Sequence, residues 1–193
     1  MDHLILVNKF EPLPAGYDEG LILKEAGGKL FEEETALHLS EMLSAAAADG
    51  ITIKVISGYR TEDHQQMLWE KEISAEMGRG ADYAAAVAKV GQTLALPGCS
   101  EHNTGLAADL GTEYAEDVEP DLYRTAAGKW LNIHAAEHGF ILRYPRMKEH
   151  ITGISYESWH YRYVGREAAL LISGGGICLE EYLHFYSDRY TSC

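Results

Sequence analysis

Two short segments, about fifty residues apart, constrain the fold of this 193-residue chain more than any other feature. The first, SEHNTGLAAD, occupies residues 100–109, and the second, ESWH, occupies residues 157–160; between them they supply His102, Asp109, His160 and Glu157. Two imidazoles and one carboxylate can hold zinc and leave a fourth position open, and a carboxylate outside that set can accept a proton from water. We therefore expect the fold to join the segments, with the two histidines and the aspartate as metal ligands and Glu157 as the general base.

The apolar run around Asp109 predicts how this aspartate is presented. Residues 106–110, LAADL, are typical of a buried strand, and Gly105 lets the preceding loop turn into it. Alternation along a strand places Leu106 and Ala108 on one face and Asp109 on the other. A buried aspartate costs free energy unless it is paired or bound to a metal, so the pattern favours a ligand role for Asp109.

The second segment requires a local irregularity. Glu157 and His160 lie three positions apart at the start of a predicted strand, and strict alternation would place them on opposite faces. Bulges and bends are common beside active sites because they redirect side chains. We therefore expect a bend or bulge near Ser158.

The spacing of apolar residues in the rest of the chain indicates an α+β fold. It predicts helices at residues 32–49, 61–77, 81–96 and 125–138, and two C-terminal helices separated by a turn at 174–176. Strands are predicted at 21–23, 51–56, 106–110, 140–144 and 156–164, and the remainder of residues 1–30 is expected to be irregular. Strands separated by irregular numbers of helices favour α+β over a doubly wound sheet. The length and the lack of a linker or repeat predict one domain over residues 1–193.

Charge and cysteine content argue against several classes of protein. The formal net charge is −14, from 30 acidic and 16 basic residues with no Lys/Arg cluster, so we expect no nucleic-acid partner. Cys99, Cys178 and Cys193 lack CxxC spacing, which argues against a disulfide framework and against a cysteine-rich zinc site.

Hydropathy bears on the compartment. The longest apolar stretches fall below the roughly 18 residues that span a bilayer, so no transmembrane segment is predicted. The first residues, MDHLILVNKF, do not form a secretion signal. We expect a cytoplasmic protein, or an extracytoplasmic one if an export or anchor segment belongs to it.

Several motifs in a fixed order resemble one enzyme family. They are SGYR at 57–60 with Gln65, PGCSEHNTGLAAD at 97–109, which matches the family pattern SxHxxGxAxD, and GFILRYPRMKEHITGISYESWHYRYVG at 139–165. They are similar to the zinc D-Ala-D-Ala carboxypeptidases and dipeptidases of the VanY and VanXY type, in the superfamily of lysostaphin-like enzymes, D-Ala-D-Ala peptidases and hedgehog domains. The resemblance implies a small antiparallel sheet that carries the zinc site and is flanked by helices. It also implies that His102, Asp109 and His160 bind zinc and that Glu157 is the base, which agrees with the assignment made from the residues alone.

The resemblance assigns roles to three further residues. Arg60, in SGYR, is implied to stabilise negative charge that develops on the scissile carbonyl oxygen, a role that zinc and a guanidinium can share in a water-poor cleft. Gln65 and Ser100 are implied to bind the terminal carboxylate of the substrate. The implied substrate is a peptidoglycan precursor peptide that ends in D-Ala.

One departure from the family pattern concerns the choice of substrate. Dipeptidase relatives carry aspartate immediately before GYR, where it could pair with the free ammonium of D-Ala-D-Ala, whereas this chain has Ser57. Loss of a charge-assisted contact costs roughly 1.5–3 kcal/mol, which disfavours the free dipeptide and leaves an acylated pentapeptide unaffected. If Ser57 faces the N-terminal side of the substrate, the sequence predicts a D,D-carboxypeptidase that acts on pentapeptide precursors.

Three other functions remain open at this stage. An L,D-carboxypeptidase would share every catalytic residue and differ in the shape of its pocket. A bifunctional D,D-dipeptidase/D,D-carboxypeptidase of glycopeptide resistance agrees with the lack of an export signal. A hedgehog-like zinc module would bind the metal without hydrolysis, but the presence of Glu157 and Arg60 argues against it.

Overall fold

A computed structural model describes residues 2–190, and for residues 187–190 it describes the backbone alone. Cys193 lies outside the described residues. The strands and helices follow in the order β1 (Leu23–Ala26), β2 (Lys29–Glu32), α1 (Glu33–Ala48), β3 (Ile53–Ser57), α2 (Glu62–Gly78), α3 (Tyr83–Val90), β4 (Ala107–Thr112), α4 (Ala126–His134), β5 (Phe140–Leu142), α5 (Glu149–Thr152), β6 (His160–Tyr163), α6 (Arg166–Gly175) and α7 (Leu179–Tyr190). Within residues 2–190, no helix is both long enough and apolar enough to cross a bilayer.

A four-stranded antiparallel sheet lies at the centre of the fold. Its strand order is β3-β4-β6-β5, and β1 and β2 form a separate two-stranded hairpin. The central strands β4 and β6 pair so that Asp109 lies directly opposite His160. The predicted α+β class, a small antiparallel sheet flanked by helices, is confirmed.

The core lies on one face of this sheet. Leu106 and Ala108 pack there with Leu39 of α1 and Leu131 of α4, and all four side chains are buried. Alternation therefore directs Asp109, on the same strand, to the opposite face, as the sequence predicts. The apolar face holds the sheet against α1 and α4, and the other face is left for a polar site.

Several boundaries differ from the prediction. The predicted helix at 125–138 is α-helical only to His134 and continues as a 3-10 helix to His138, and the predicted strand at 140–144 ends at Leu142. The N-terminal segment forms the β1–β2 hairpin instead of one strand at 21–23, because Gly27 and Gly28 both adopt positive φ and close a two-residue turn. Helix α3 ends at Val90 and not near residue 96, and the chain beyond it supplies Leu94 and Ala95 to a cleft. Strand β6 begins only at His160.

Gly128, in the first turn of α4, provides a test of the packing. A Cβ on this residue would overlap the backbone carbonyl of Leu122, which cannot move as a flexible side chain could. We expect G128A to lower the free energy of unfolding by about 1–3 kcal/mol, the usual cost of overpacking. Gly174 in α6 is the matched control, because a Cβ added there would meet no neighbouring atom within 4 Å. G174A should raise the free energy of unfolding by about 0.5–1 kcal/mol, and urea denaturation of both variants tests the contrast.

Candidate active site

The two sequence segments meet on the polar face of the sheet. Ligand atoms of His102, Asp109 and His160 all lie within 4.8 Å of one another, and the three residues are buried. Asp109 Oδ1 lies 3.0 Å from His160 Nδ1, and Asp109 Oδ2 lies 3.2 Å from His102 Nε2. Pairing of β4 with β6 places the aspartate opposite His160, so the fold brings together residues that are fifty-one positions apart.

His102 is placed by a short 3-10 helix, residues 101–104, which leads into β4. The helix ends at Gly105, whose φ of 74° is unfavourable for other residues, and a Cβ there would lie 2.7 Å from the backbone nitrogen of Glu32. The backbone N–H of Arg60 donates to the carbonyl of His102 at 3.1 Å. The loop is therefore held between the β1–β2 hairpin and the segment after β3.

The tautomers of the two histidines determine whether this cluster fits a metal. His102 Nδ1 lies 2.8 Å from the carbonyl oxygen of Gly58, so it carries a proton and leaves the Nε2 lone pair directed at Asp109. His160 shows the reverse arrangement, with Nδ1 toward Asp109 and Nε2 toward Glu101. His102 Nε2, the Asp109 carboxylate and His160 Nδ1 thus converge, and once the proton on His160 Nδ1 is displaced they form the donor set of a catalytic zinc site with an open position.

The charges of the cluster are strongly coupled. Burial lowers the pKa of His160, but hydrogen bonds to Asp109 and Glu101 outweigh it and raise the pKa to about 9. Burial favours the neutral form of Asp109, yet the attraction of His102 and His160 holds its pKa well below the usual range. A cation held by these residues would therefore meet a charged carboxylate and would take the place of the proton on His160 Nδ1.

Glu157 precedes β6 and lies beside the three candidate ligands. Its Oε2 is 3.8 Å from His160 Nδ1, and the side chain is 5% exposed. Residues 158 and 159 form a turn before the strand starts, which is the bend predicted near Ser158 and which places Glu157 on the same side as His160. Burial raises the pKa of Glu157 to about 8, so this carboxyl can exchange a proton near neutral pH.

Arg60 extends from the segment after β3 to the ligand cluster. Its Nη2 donates to Asp109 Oδ2 at 2.8 Å, its Nη1 to Gln65 Oε1 at 3.3 Å, and its Nε to Ser57 Oγ at 3.0 Å. Three acceptors fix the plane of the guanidinium, which still lines the cleft. Its remaining N–H groups can bind negative charge beside the metal site.

The predicted substrate contacts have different surroundings. Ser100 and Gln65 are buried and line the cleft, and Gln65 Nε2 also donates to the carbonyl of Ala95 at 2.8 Å. Ser57 is not among the described residues that line the cleft, and its hydroxyl accepts the Arg60 hydrogen bond instead. The contact of Ser57 with substrate therefore stays a prediction, and the structure gives this residue a place behind Arg60.

Glu101 belongs to the site although sequence reasoning gave it no role. Its side chain is fully buried between His160 and two arginines, Arg143 and Arg162. Burial favours its neutral form, but the two arginines hold its pKa well below the usual range. Its position between Ser100 and His102 was the available signal, because a charged residue inside a buried motif requires a partner.

The site lies in a cleft of about 450 Å³. Asp117 and Val118, in the loop after β4, line one part of it, and Lys71 and Glu72 of α2 line another. The cleft therefore extends well beyond the ligand cluster.

Comparison with known sequences gives the family. The profile of VanY, described as D-alanyl-D-alanine carboxypeptidase, matches residues 28–166. The chain belongs to the VanY family. A D-alanyl-D-alanine carboxypeptidase of Enterococcus faecalis is 41% identical over 181 residues, which cover 94% of this chain and 65% of that protein. This chain thus spans slightly less than two thirds of that relative.

Solved VanY structures have the same fold. A VanY mutant from a VanB-type resistance cassette, in complex with Zn(II), is 40% identical with a TM-score of 0.84 and covers 95% of this chain and 99% of that one. VanYB in complex with D-alanine-D-alanine has the same identity and TM-score and covers 94% and 97% of the two chains. The predicted family and fold are therefore confirmed.

Proposed function

We propose that this chain is a zinc-dependent D,D-carboxypeptidase that removes the terminal D-Ala from peptidoglycan pentapeptide precursors. The observation that carries the proposal is the convergence of His102, Asp109 and His160, with the Glu157 carboxylate 3.8 Å from His160 Nδ1. Membership of the VanY family, and VanY-type relatives that bind Zn(II) or D-alanine-D-alanine, support the same activity. The proposed cofactor is zinc, held by these three ligands.

The residues divide the chemistry between them. When bound, zinc acidifies water and polarises a carbonyl group. Glu157 accepts a proton from the attacking water and delivers it to the leaving nitrogen of the terminal D-Ala, so one carboxyl serves as base and then as acid. Arg60 donates hydrogen bonds to the carbonyl oxygen as negative charge develops on it. The C–N bond breaks, with hydroxyl added to the carbonyl carbon and hydrogen to the amine.

Substrate binding is proposed to involve the two buried polar side chains on the cleft wall. Ser100 and Gln65 would bind the terminal carboxylate, and Gln65 would at the same time keep Arg60 in position through its Oε1. The cleft continues past the ligands toward Lys71 and Asp117, which leaves room for residues that precede the terminal pair. This extension supports a pentapeptide more than a free dipeptide.

An assay of three substrates tests the proposal. Pentapeptide, free D-Ala-D-Ala and tetrapeptide are incubated with the same zinc-loaded enzyme, and D-Ala release is measured with and without a chelator. We expect chelator-sensitive release from the pentapeptide, with kcat/KM at least about tenfold above that of the dipeptide. The free ammonium of the dipeptide would lack the carboxylate that dipeptidase relatives carry at the position of Ser57, and one such charge-assisted contact is worth roughly 1.5–3 kcal/mol. Faster hydrolysis of the dipeptide would favour the bifunctional enzyme, and faster hydrolysis of the tetrapeptide would favour an L,D-carboxypeptidase. No release from any of them would contradict the proposed activity.

A further inference from the structure

A buried network of charged groups lies beside the Nε2 nitrogen of His160, on the side of the ring away from Asp109. Glu101 Oε1 accepts from Arg143 Nε at 2.7 Å and lies 2.9 Å from Arg162 Nη1. Arg143 in turn makes two hydrogen bonds to Glu180 of α7, Nη1 to Oε2 at 2.9 Å and Nη2 to Oε1 at 2.7 Å. Two carboxylates balance two guanidinium groups, so the network is neutral as a whole and each charge is paired.

The two oxygens of Glu101 have different partners. Both arginines approach Oε1, whereas Oε2 lies 3.5 Å from His160 Nε2. Among the described residues, Glu101 is the acceptor that faces this nitrogen, since Asp109 and Glu157 both lie toward Nδ1. An ionised carboxylate can only accept, so Glu101 keeps a proton on Nε2, and the imidazole with its proton on Nε2 is the one that remains when a metal takes the place of the Nδ1 proton facing Asp109.

We propose that Glu101 is a positioning residue for the metal site, which fixes the His160 tautomer that leaves the Nδ1 lone pair for the metal. A carboxylate behind a ligating histidine orients the ring and makes it a better donor. The inference rests on the proposed zinc site and adds a residue that does not itself touch metal or substrate.

The arginines that hold Glu101 are anchored at both ends of the chain. Arg162 Nη2 donates to the backbone carbonyls of His3 and Ile5, at 3.1 and 2.9 Å. Arg143 is fixed by Glu180, near the start of α7. The N-terminal segment and the C-terminal helix therefore both support the carboxylate behind His160, although neither contributes a metal ligand.

The substitution E101Q separates this role from simple packing. The glutamine has one carbonyl oxygen, and Arg143 and Arg162 both require an acceptor at the Oε1 position. Its NH₂ group then takes the Oε2 position and faces His160 Nε2, which favours the tautomer with the proton on Nδ1. We expect E101Q to weaken zinc binding about 10–100-fold, the usual effect of losing such a partner.

The matched control is E180Q, which makes the same change one step further from the metal. Glu180 contacts Arg143 but not His160, so E180Q should reduce stability and leave zinc affinity within about threefold of the wild type, because its effect on the ligand is indirect. Zinc affinity is measured by competition with a chromophoric chelator, and folding by circular dichroism. Equal zinc affinities of wild type and E101Q, or equal losses in E101Q and E180Q, would overturn the inference.

A measurement on the wild-type holoenzyme does not depend on any variant. In nitrogen-15-labelled, zinc-loaded protein, a long-range proton–nitrogen spectrum should place the His160 proton on Nε2, with Nδ1 bound to the metal. A proton on Nδ1 would overturn the inference even if E101Q fails to fold. A wild-type protein that binds no zinc would instead overturn the proposed function, so the two failures are distinguishable.

Discussion

Replacement of Glu157 by glutamine is expected to lower kcat on the order of 10²–10⁴-fold while the zinc content stays unchanged. The amide is nearly the same size as the carboxyl, so the packing against His160 and the turn before β6 can be kept. It cannot accept the proton of the attacking water or return it to the leaving amine. Because Glu157 is not one of the three converging ligands, the metal should still bind. Stopped assays of D-Ala release, together with metal analysis of the same sample, test this prediction.

E76Q is the control for E157Q. Glu76 in α2 is also largely buried and is paired with Arg79 and Lys89, but it does not line the cleft. E76Q should keep wild-type kcat, so a loss shared by both variants would indicate a general effect of removing a paired glutamate. If E157Q keeps most of its activity with full zinc content, then Glu157 is not the base.

The orientation of Asp109 and the bend beside Glu157 were predictable from local patterns, whereas the two histidines were proposed as ligands from their joint occurrence and from the family resemblance. Asp109 stands out as a charge in an apolar strand, and alternation correctly placed it opposite Leu106 and Ala108. Glu157 and His160 lie three positions apart, so a regular strand would place them on opposite faces. A bend near residue 158 was therefore predicted, and the structure has a turn there. These inferences use only the geometry of a single strand, so they do not depend on how the chain folds elsewhere.

Features that depend on distant partners were not predictable in the same way. Glu101 is visible in the motif, but its partner Arg143 lies 42 positions further along, and Glu180, which pairs with Arg143, lies 79 positions along; nothing in the sequence links the three. The place of Ser57 before GYR predicts a substrate contact, which stays a prediction, but it gave no indication that the Ser57 hydroxyl accepts a hydrogen bond from Arg60. The β1–β2 hairpin escapes prediction because its strands are only four residues long and lack a clear alternation.

The central position of Asp109 leads to the second large expected effect. Its two oxygens face both histidines, at 3.0 and 3.2 Å, and Oδ2 also accepts from Arg60 at 2.8 Å. Asparagine at this position has one acceptor for three groups, and its NH₂ would face the lone pair of a ligand or the guanidinium. Losing an outer-shell partner typically costs 10–100-fold in metal affinity, so D109N, which loses the one charged ligand, should weaken zinc binding by more than about 100-fold. D-Ala release should fall in parallel.

Zinc titration with an activity readout tests D109N, and D49N is its control. Asp49 accepts a hydrogen bond from Trp130 at the end of α1 and is not among the described residues of the cleft, so asparagine there keeps the acceptor and should leave zinc affinity unchanged. Zinc binding by D109N within about tenfold of the wild type would show that Asp109 is not a ligand, because even an outer-shell contact is worth that much. Excess zinc that restores D109N occupancy without restoring turnover would instead show that the carboxylate is also needed to hold Arg60 against the reacting carbonyl.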